Sequence, residues 1–418
     1  RLAPGRTHMS VNLLAPASSE ERCGSHSVAQ VRRNHLGMGH HVRLCILLLS
    51  GLSCLAGITG CRQAPSVPIK KAIWVTRWDY STEQDIVDIM RNIHYSGFDT
   101  VLFQVRGNGT VFYPSRYEPW AEEFNHQDPG FDPVEAVCRE ARVRGLKVHA
   151  WVNAVPGWRG DSPPPATTPP QHWIEHPDWF LHSEAGERQP LQPSYYVALN
   201  PCLPEVRNHV ADICQELLEN YPDLAGIHLD YIRFLESGVT VDYPRDPVSL
   251  KYFSESTGQS TPDENTVVWD RWRRDQVTEM VRTISDRCRQ TKREALVTAA
   301  VYRTPQIAHD RVMQDWPRWL RLGLIDAVFP MQYDREVPRF EERVGECMQH
   351  ARGFPVIMGL GTYLHENPKI TLAQEKSALI QGCQGVSHFA YSSFWSSSAD
   401  NNNSRLKSQR RKEILNSP

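Results

Sequence analysis

The sequence lacks an excess of either charge: 46 Lys and Arg stand against 48 Asp and Glu, a formal net charge of -2 over 418 residues. A surface built to neutralise phosphates is therefore not indicated, which argues against a nucleic-acid partner. No GxGxxG and no Walker-type loop follows an apolar run, so dinucleotide and P-loop architectures are not first readings. The 10 cysteines contain no CxxC pair and no zinc-type spacing, so neither a metal site nor another cofactor is expected. Cys138, Cys214, Cys288 and Cys347 fall in amphipathic patterns, where a thiol behaves as a small buried hydrophobe. The apolar run that begins at Leu44 is short of the roughly 20 residues that cross a bilayer and carries several Gly and Ser.

Hydrophobic residues make up 40% and charged residues 22%, enough to bury a sizeable core and to exclude wholesale disorder. The 12 Trp and 14 Tyr serve packing first, although exposed ring faces also hold flat sugar rings. The stretch MGHHVRLCILLLSGLSCLAGITGC, residues 38–61, has the grammar of a signal peptide: a short basic start, an apolar run and small residues before a Cys. Its end, Ile58-Thr59-Gly60-Cys61, resembles a bacterial lipobox, so Cys61 is expected to become a lipidated N-terminus. An ordinary secretory signal or an uncleaved anchor is the plainer alternative. The expected location is the bacterial cell envelope, lipid-anchored on a periplasmic or outer-membrane face, or outside the cell. Residues 1–37 lack periodicity and read as an upstream non-structural segment, 62–70 as a linker, and 396–418 as a polar tail.

Between residues 71 and 395, short apolar runs alternate with helical patterns, the signature of βα units and a parallel sheet. Strands are expected at 72–76, 100–105, 147–152, 225–229, 296–301, 327–331, 356–360 and 387–391. Helices are expected at 82–95, 133–144, 204–220, 266–290, 309–321, 338–351 and 371–382. Eight strands and seven helices predict an α/β fold, a (β/α)8 TIM barrel, rather than an open doubly wound sheet. The polar, basic stretch 401–412 is a poor eighth helix. In such barrels the chemistry sits at strand C-terminal ends and the loops after them.

The polar residues at those ends are the candidates. The second strand offers Gln104 and Arg106, the first Arg77, and the third His149 and Asn153. The fourth, GIHLDYIRF, is the strongest: His228 and Asp230 alternate onto one face, with Arg233 just beyond. The sixth ends in Gln332, Tyr333 and Asp334, the seventh in Tyr363, His365 and Glu366, and the eighth leads to Trp395. An Arg in an apolar strand needs a carboxylate or a ligand. The long segments 156–201 and 235–265 read as cleft walls.

The segments QVRGNGTVFYPSRYEPW, FDPVEAVCREARVRGLKVHAWVN, HPDWFL, LNPCLPEVRNHV, GIHLDYIRF and WRRDQV together resemble the bacterial glycosyl hydrolase-like 10 family. The resemblance implies a barrel on envelope or secreted proteins with glycosidase activity toward peptidoglycan strands or other polysaccharides. It also implies a site around Asp230 with Arg106, His149 and Asn153. Some members carry two consecutive acids at the fourth strand's end, whereas here Tyr231 follows Asp230.

The leading expectation is a glycoside hydrolase with Asp230 as one catalytic carboxyl group and Asp334, or next Glu366, as the second. Arg77, Gln104, Arg106, His149, Asn153, His228, Arg233, Gln332, Tyr333, Tyr363 and Trp395 would hold the glycan. On an N-acetylated sugar the substrate could supply the nucleophile. A glycan-binding lipoprotein with a degenerate site is the alternative. A metal-dependent hydrolase using His149, His228 and Asp230 is disfavoured because 74–79 has no HxH.

Overall fold

The computed structural model of the protein describes residues 66–191, 193–234, 242–395 and 404–415. The expected upstream segment and the signal peptide with Cys61 lie outside the described residues. Eight parallel strands close into a barrel, each hydrogen-bonded to the next in sequence and the last to the first. They are β1 (Lys71–Val75), β2 (Thr100–Arg106), β3 (Lys147–Asn153) and β4 (Gly226–Asp230), then β5 (Leu296–Val301), β6 (Ala327–Gln332), β7 (Ile357–Leu360) and β8 (Gly385–His388). The TIM barrel expected from the alternation is therefore the fold.

The helices begin where the chain supplies caps. Asp132 accepts the amides of Val134 and Glu135 at the start of Pro133–Arg144, with proline at the first helical position, and Gly145 ends that helix at φ 69°. The expected helix over 309–321 is two pieces, Pro305–Arg311 and Trp316–Arg321. Met313 between them has φ 57°, and Asp315 caps the second piece by accepting the Arg318 amide. The wall segment after β4 contains a helix that periodicity missed, Pro247–Thr257, opened by Asp246 and closed by Gly258. The stretch expected to be a polar tail holds the helix Ser404–Arg410, whose buried Arg410 donates to the carbonyls of Ser393, Tyr363 and His365.

Two apolar layers surround the strands. Ala72, Trp74, Leu102, Trp151, Ala327, Phe329 and Ile357 fill the barrel interior, while Ile73, Val75, Val148, Val152, Leu229 and Val328 face the helices. The interior is thus packed, as closed barrels of this size are. His228 belongs to that packing: Trp74 Nε1 donates to its Nε2 at 3.2 Å and its Nδ1 meets Thr298 Oγ1 at 2.9 Å. Cys138, Cys202, Cys214, Cys288, Cys347 and Cys383 are all free and buried.

Candidate active site

The mouth of the barrel is built around neighbouring strand ends. Asn153 and Asp230 are register partners at the last positions of β3 and β4. Asp230 is 6% exposed and its Oδ1 accepts the Tyr231 amide at 2.6 Å, with Arg233 Nη1 at 3.4 Å. Burial raises its pKa above the ordinary value; Arg233, the Tyr231 amide and Trp151 pull the other way without cancelling it. Asn153 Oδ1 accepts from Trp151 Nε1 at 2.9 Å, which fixes the amide's orientation.

Tyr231 sits at φ 50°, a left-handed conformation uncommon for an aromatic residue, and its ring carries the Arg233 guanidinium at 4.5 Å. The turn brings Tyr231 edge-on to Tyr196 at 5.2 Å. From the other side of the barrel come Tyr333, Tyr363 and Phe389, with ring centres 5.4 to 6.1 Å apart. Burial raises the Tyr333 pKa well above its usual value, and the neighbouring Tyr363 and Asp230 add to the shift. All five rings are partly exposed.

Arg77, in the turn after β1, is 1% exposed and donates to Asn108 Oδ1 at 2.7 Å, with Glu123 2.9 Å from its Nε. Burial disfavours its charge, but Tyr196 and Glu123 more than offset that, so its pKa is raised. Its guanidinium lies 4.6 Å from the ring of Trp78, which is 40% exposed on the rim. Gly107 leaves room for it: a Cβ there would fall 1.9 Å from Arg77 Nη1. The structure thus brings together Arg77, Asn153, Asp230, Arg233, Tyr333 and Tyr363, and adds Trp78, Glu123, Tyr196, Tyr231 and Phe389, none of which the strand pattern marked.

Other expected site residues lie elsewhere. A β-bulge after Gln104 shifts the register so that Arg106 pairs with outward-facing Val152, and its side chain leaves the mouth. It forms instead a buried ion pair with Glu118, at 2.7 Å, and donates to the carbonyls of Asn153, Ala154 and Pro156. Gln104 is 2% exposed and accepts the Arg77 amide, a support for the turn rather than a glycan contact. His149 lies two turns of the pleat below Asn153 and lines a cavity of about 600 Å³ at the N-terminal end of the barrel, with Thr100, Ala225 and Leu296. Burial drives its pKa down to about 4, so it is neutral there.

Gln332 also points outward, donating to the Arg303 carbonyl and to Cys347 Sγ. Asp334 accepts from Arg339 at 2.6 Å, from Arg343 at 2.6 Å and from the Glu336 amide. Burial pushes that carboxyl up, but those partners hold it below its ordinary pKa, as in an ion pair and unlike an acid. Glu366 is exposed on the segment after β7. Strand β8 ends at His388, not Tyr391, because Ser393 Oγ bonds the Ala390 amide and the Phe389 carbonyl and turns the chain. Trp395 consequently stacks on Tyr391 at 4.7 Å in the outer layer.

The fold is a closed (β/α)8 barrel, with a buried carboxyl at the end of β4 close to partly exposed aromatic rings. The chain belongs to the glycosyl hydrolase-like 10 family, whose sequence profile matches residues 69–356. Among curated relatives, glycosyl hydrolase DigH of Escherichia coli O6:H1 is 27% identical over 284 residues, covering 60% of this chain and 58% of that protein. Glycosyl hydrolase YngK of Bacillus subtilis is 23% identical over 284 residues, covering 64% of this chain and 51% of that protein. The chain therefore spans a little over half the length of these relatives. Among solved structures, α-L-fucosidase isoenzyme 2 from Paenibacillus thiaminolyticus aligns over 83% of this chain and 49% of its own, with a TM-score of 0.55 and 13% identity. The catalytic domain of β-amylase from Paenibacillus polymyxa aligns over 83% and 97%, with a TM-score of 0.55 and 10% identity. At such identity the likeness is one of fold.

Proposed function

We propose that the protein is a glycosidase acting on a cell-envelope or extracellular glycan, with Asp230 as general acid. The observation that carries this reading is a carboxyl group of raised pKa, buried at the end of β4 beneath partly exposed rings. Burial keeps a larger share of the group protonated near neutral pH, which is what protonation of a leaving glycosidic oxygen requires. Asn153, Arg77 and Arg233 supply fixed polar groups for sugar hydroxyls, while Tyr333, Tyr363 and Phe389 offer ring faces.

The second role falls to Glu123 or, on an N-acetylated sugar, to the substrate's own acetamide. Burial raises the Glu123 pKa despite the neighbouring Arg77. Glu123→Gln distinguishes these: a loss as large as that of Asp230→Asn assigns the carboxylate, and a small one assigns the acetamide. The test of the function is incubation of the purified protein with peptidoglycan glycan strands and neutral polysaccharides, with mass analysis of products. Tight binding without turnover of any glycan would instead establish a binding protein with a degenerate site.

If Asp230 acts in its protonated form, kcat/KM falls as pH rises through its pKa. Arg233 pulls that pKa down, so Arg233→Met is expected to move the alkaline limb to higher pH. An unmoved limb in a measured pH profile assigns it to another group. Trp78, exposed beside Arg77, is placed to stack on a sugar outside the reacting centre. Trp78→Ala is expected to raise KM about two- to tenfold and to change kcat little, since a ring stacking contact contributes about 0.5–1.5 kcal/mol.

We further propose that the protein is attached to a bacterial membrane through a lipid on Cys61. Cys61→Ser is then expected to leave an unprocessed, unacylated precursor in a bacterial host, read by labelling with a fatty-acid analogue. Normal acylation of the variant would refute the assignment.

A further inference from the structure

Behind the mouth, three metal-ligating side chains converge on one point that the proposed reaction does not use. Glu118 Oε1 lies 3.1 Å from His172 Nε2 and 3.0 Å from His209 Nε2, and the two imidazole nitrogens are 2.9 Å apart. The residues come from three segments: the loop after β2, the short helix His172–Glu175 and the helix Pro204–Asn220. Their exposures are 1%, 2% and 8%. Trp179 packs against both imidazoles, with ring centres 5.2 and 5.3 Å away.

Hydrogen bonding cannot account for this triangle. Each of its three edges is short enough to need one proton, yet each Nε2 carries at most one and the carboxylate carries none. Two protons can fill only two edges, leaving two lone pairs or two N–H groups facing each other at about 3 Å. Protonating either imidazole fully adds its hydrogen at Nδ1 or Nε2 and still leaves one edge unfilled. In addition, His172 Nδ1 is buried without a hydrogen-bond partner among the described residues.

A cation at the centre resolves all three edges, because it accepts a lone pair from each atom. A point about 1 Å out of the plane of the three atoms is about 2 Å from each of them, the length of zinc bonds to imidazole nitrogen and carboxylate oxygen. We therefore propose that Glu118, His172 and His209 form a site for a divalent transition metal of the zinc type, with a water in the fourth position. Two imidazoles disfavour Ca2+ and Mg2+, which take oxygen ligands.

The role is structural: the ion joins the two wall segments to the loop that leaves β2. Arg106, which shares Glu118, also donates to the carbonyls of Asn153, Ala154 and Pro156, so the site backs the strand that carries Asn153. Its guanidinium opposes the cation by charge, which limits affinity and leaves the metal removable by a strong chelator.

The test is elemental analysis and calorimetry on the whole protein, stripped with a chelator and then titrated with Zn2+. The expected result is about one equivalent bound, with a melting temperature that falls on stripping and recovers on addition of Zn2+. His209→Gln, if folded by circular dichroism, should retain less than a tenth of an equivalent. Should that variant not fold, Co2+ added to the stripped wild type should give visible d–d absorption that Zn2+ abolishes. Wild-type protein that binds under a tenth of an equivalent, a His209→Gln variant that binds as much as wild type, or no Co2+ bands would each overturn the proposal.

Discussion

Asp230→Asn is expected to lower kcat by about a hundredfold or more, since a positioned proton donor contributes about 10² to 10⁴ in rate. The variant should stay folded and bind glycan nearly as before, because the amide oxygen can still accept from the Tyr231 amide and from Arg233. The stability change carries its own sign. A carboxyl whose folded pKa is raised contributes its full stability below the unfolded pKa and loses it as pH rises through the folded value. At neutral pH the buried charge of Asp230 is therefore a cost, and Asn removes it. The variant's melting temperature should equal or exceed that of wild type at pH 7, with the difference shrinking toward pH 4. If Asp230 served only to anchor Arg233, stability and activity would fall together. Wild-type turnover in a stable variant would end the catalytic assignment.

The barrel was legible because its strands are short, apolar and evenly interrupted by capped helices, and period-2 and period-3.6 patterns report burial directly. The position of Asp230 was legible for the same reason, since alternation from His228 fixes its face. What alternation could not report was any break in itself. One extra residue after Gln104 turns Arg106 from the mouth to the outer layer, and nothing in FQVRG marks the bulge. The strand β8 was read a few residues too late, which placed Trp395 at the mouth although it stacks on Tyr391. Gln332 follows Phe329 by an odd number of residues, so period 2 itself assigns it to the outer face.

The missed residues share another physical origin. Trp78, Glu123 and Tyr196 lie on turns and loops between the strands, where no periodicity relates a residue to a face. Glu123 reaches the rim because a short 3-10 turn, Glu122–Phe124, buries Phe124 and directs the side chain just before it toward Arg77. The triangle of Glu118, His172 and His209 brings residues 37 to 91 positions apart within 3.1 Å, a separation no zinc-type spacing covers. Such sites are set by how wall segments fold back on the barrel, which is tertiary information.

Arg106 carries the second large effect, and its sign is that of stability. By sequence Arg106 is expected to hold the glycan, whereas the buried geometry makes it a structural cation. Its Nε and Nη2 hold both oxygens of Glu118, and Nη1 serves three carbonyls at the end of β3. Arg106→Met keeps most of the side-chain length and removes every one of those donors, leaving a buried carboxylate and several carbonyls short of partners. Breaking a buried pair by removing one member costs about 3–5 kcal/mol. Urea denaturation should therefore show a loss of about that size. A cation bound by Glu118 would offset part of it, so the comparison belongs in excess chelator, where wild type and variant face the same node without metal. Activity should fall only as far as the Asn153 end of β3 loosens, and should recover with conditions that restabilise the fold. A variant as stable as wild type in chelator but inactive would return Arg106 to the substrate.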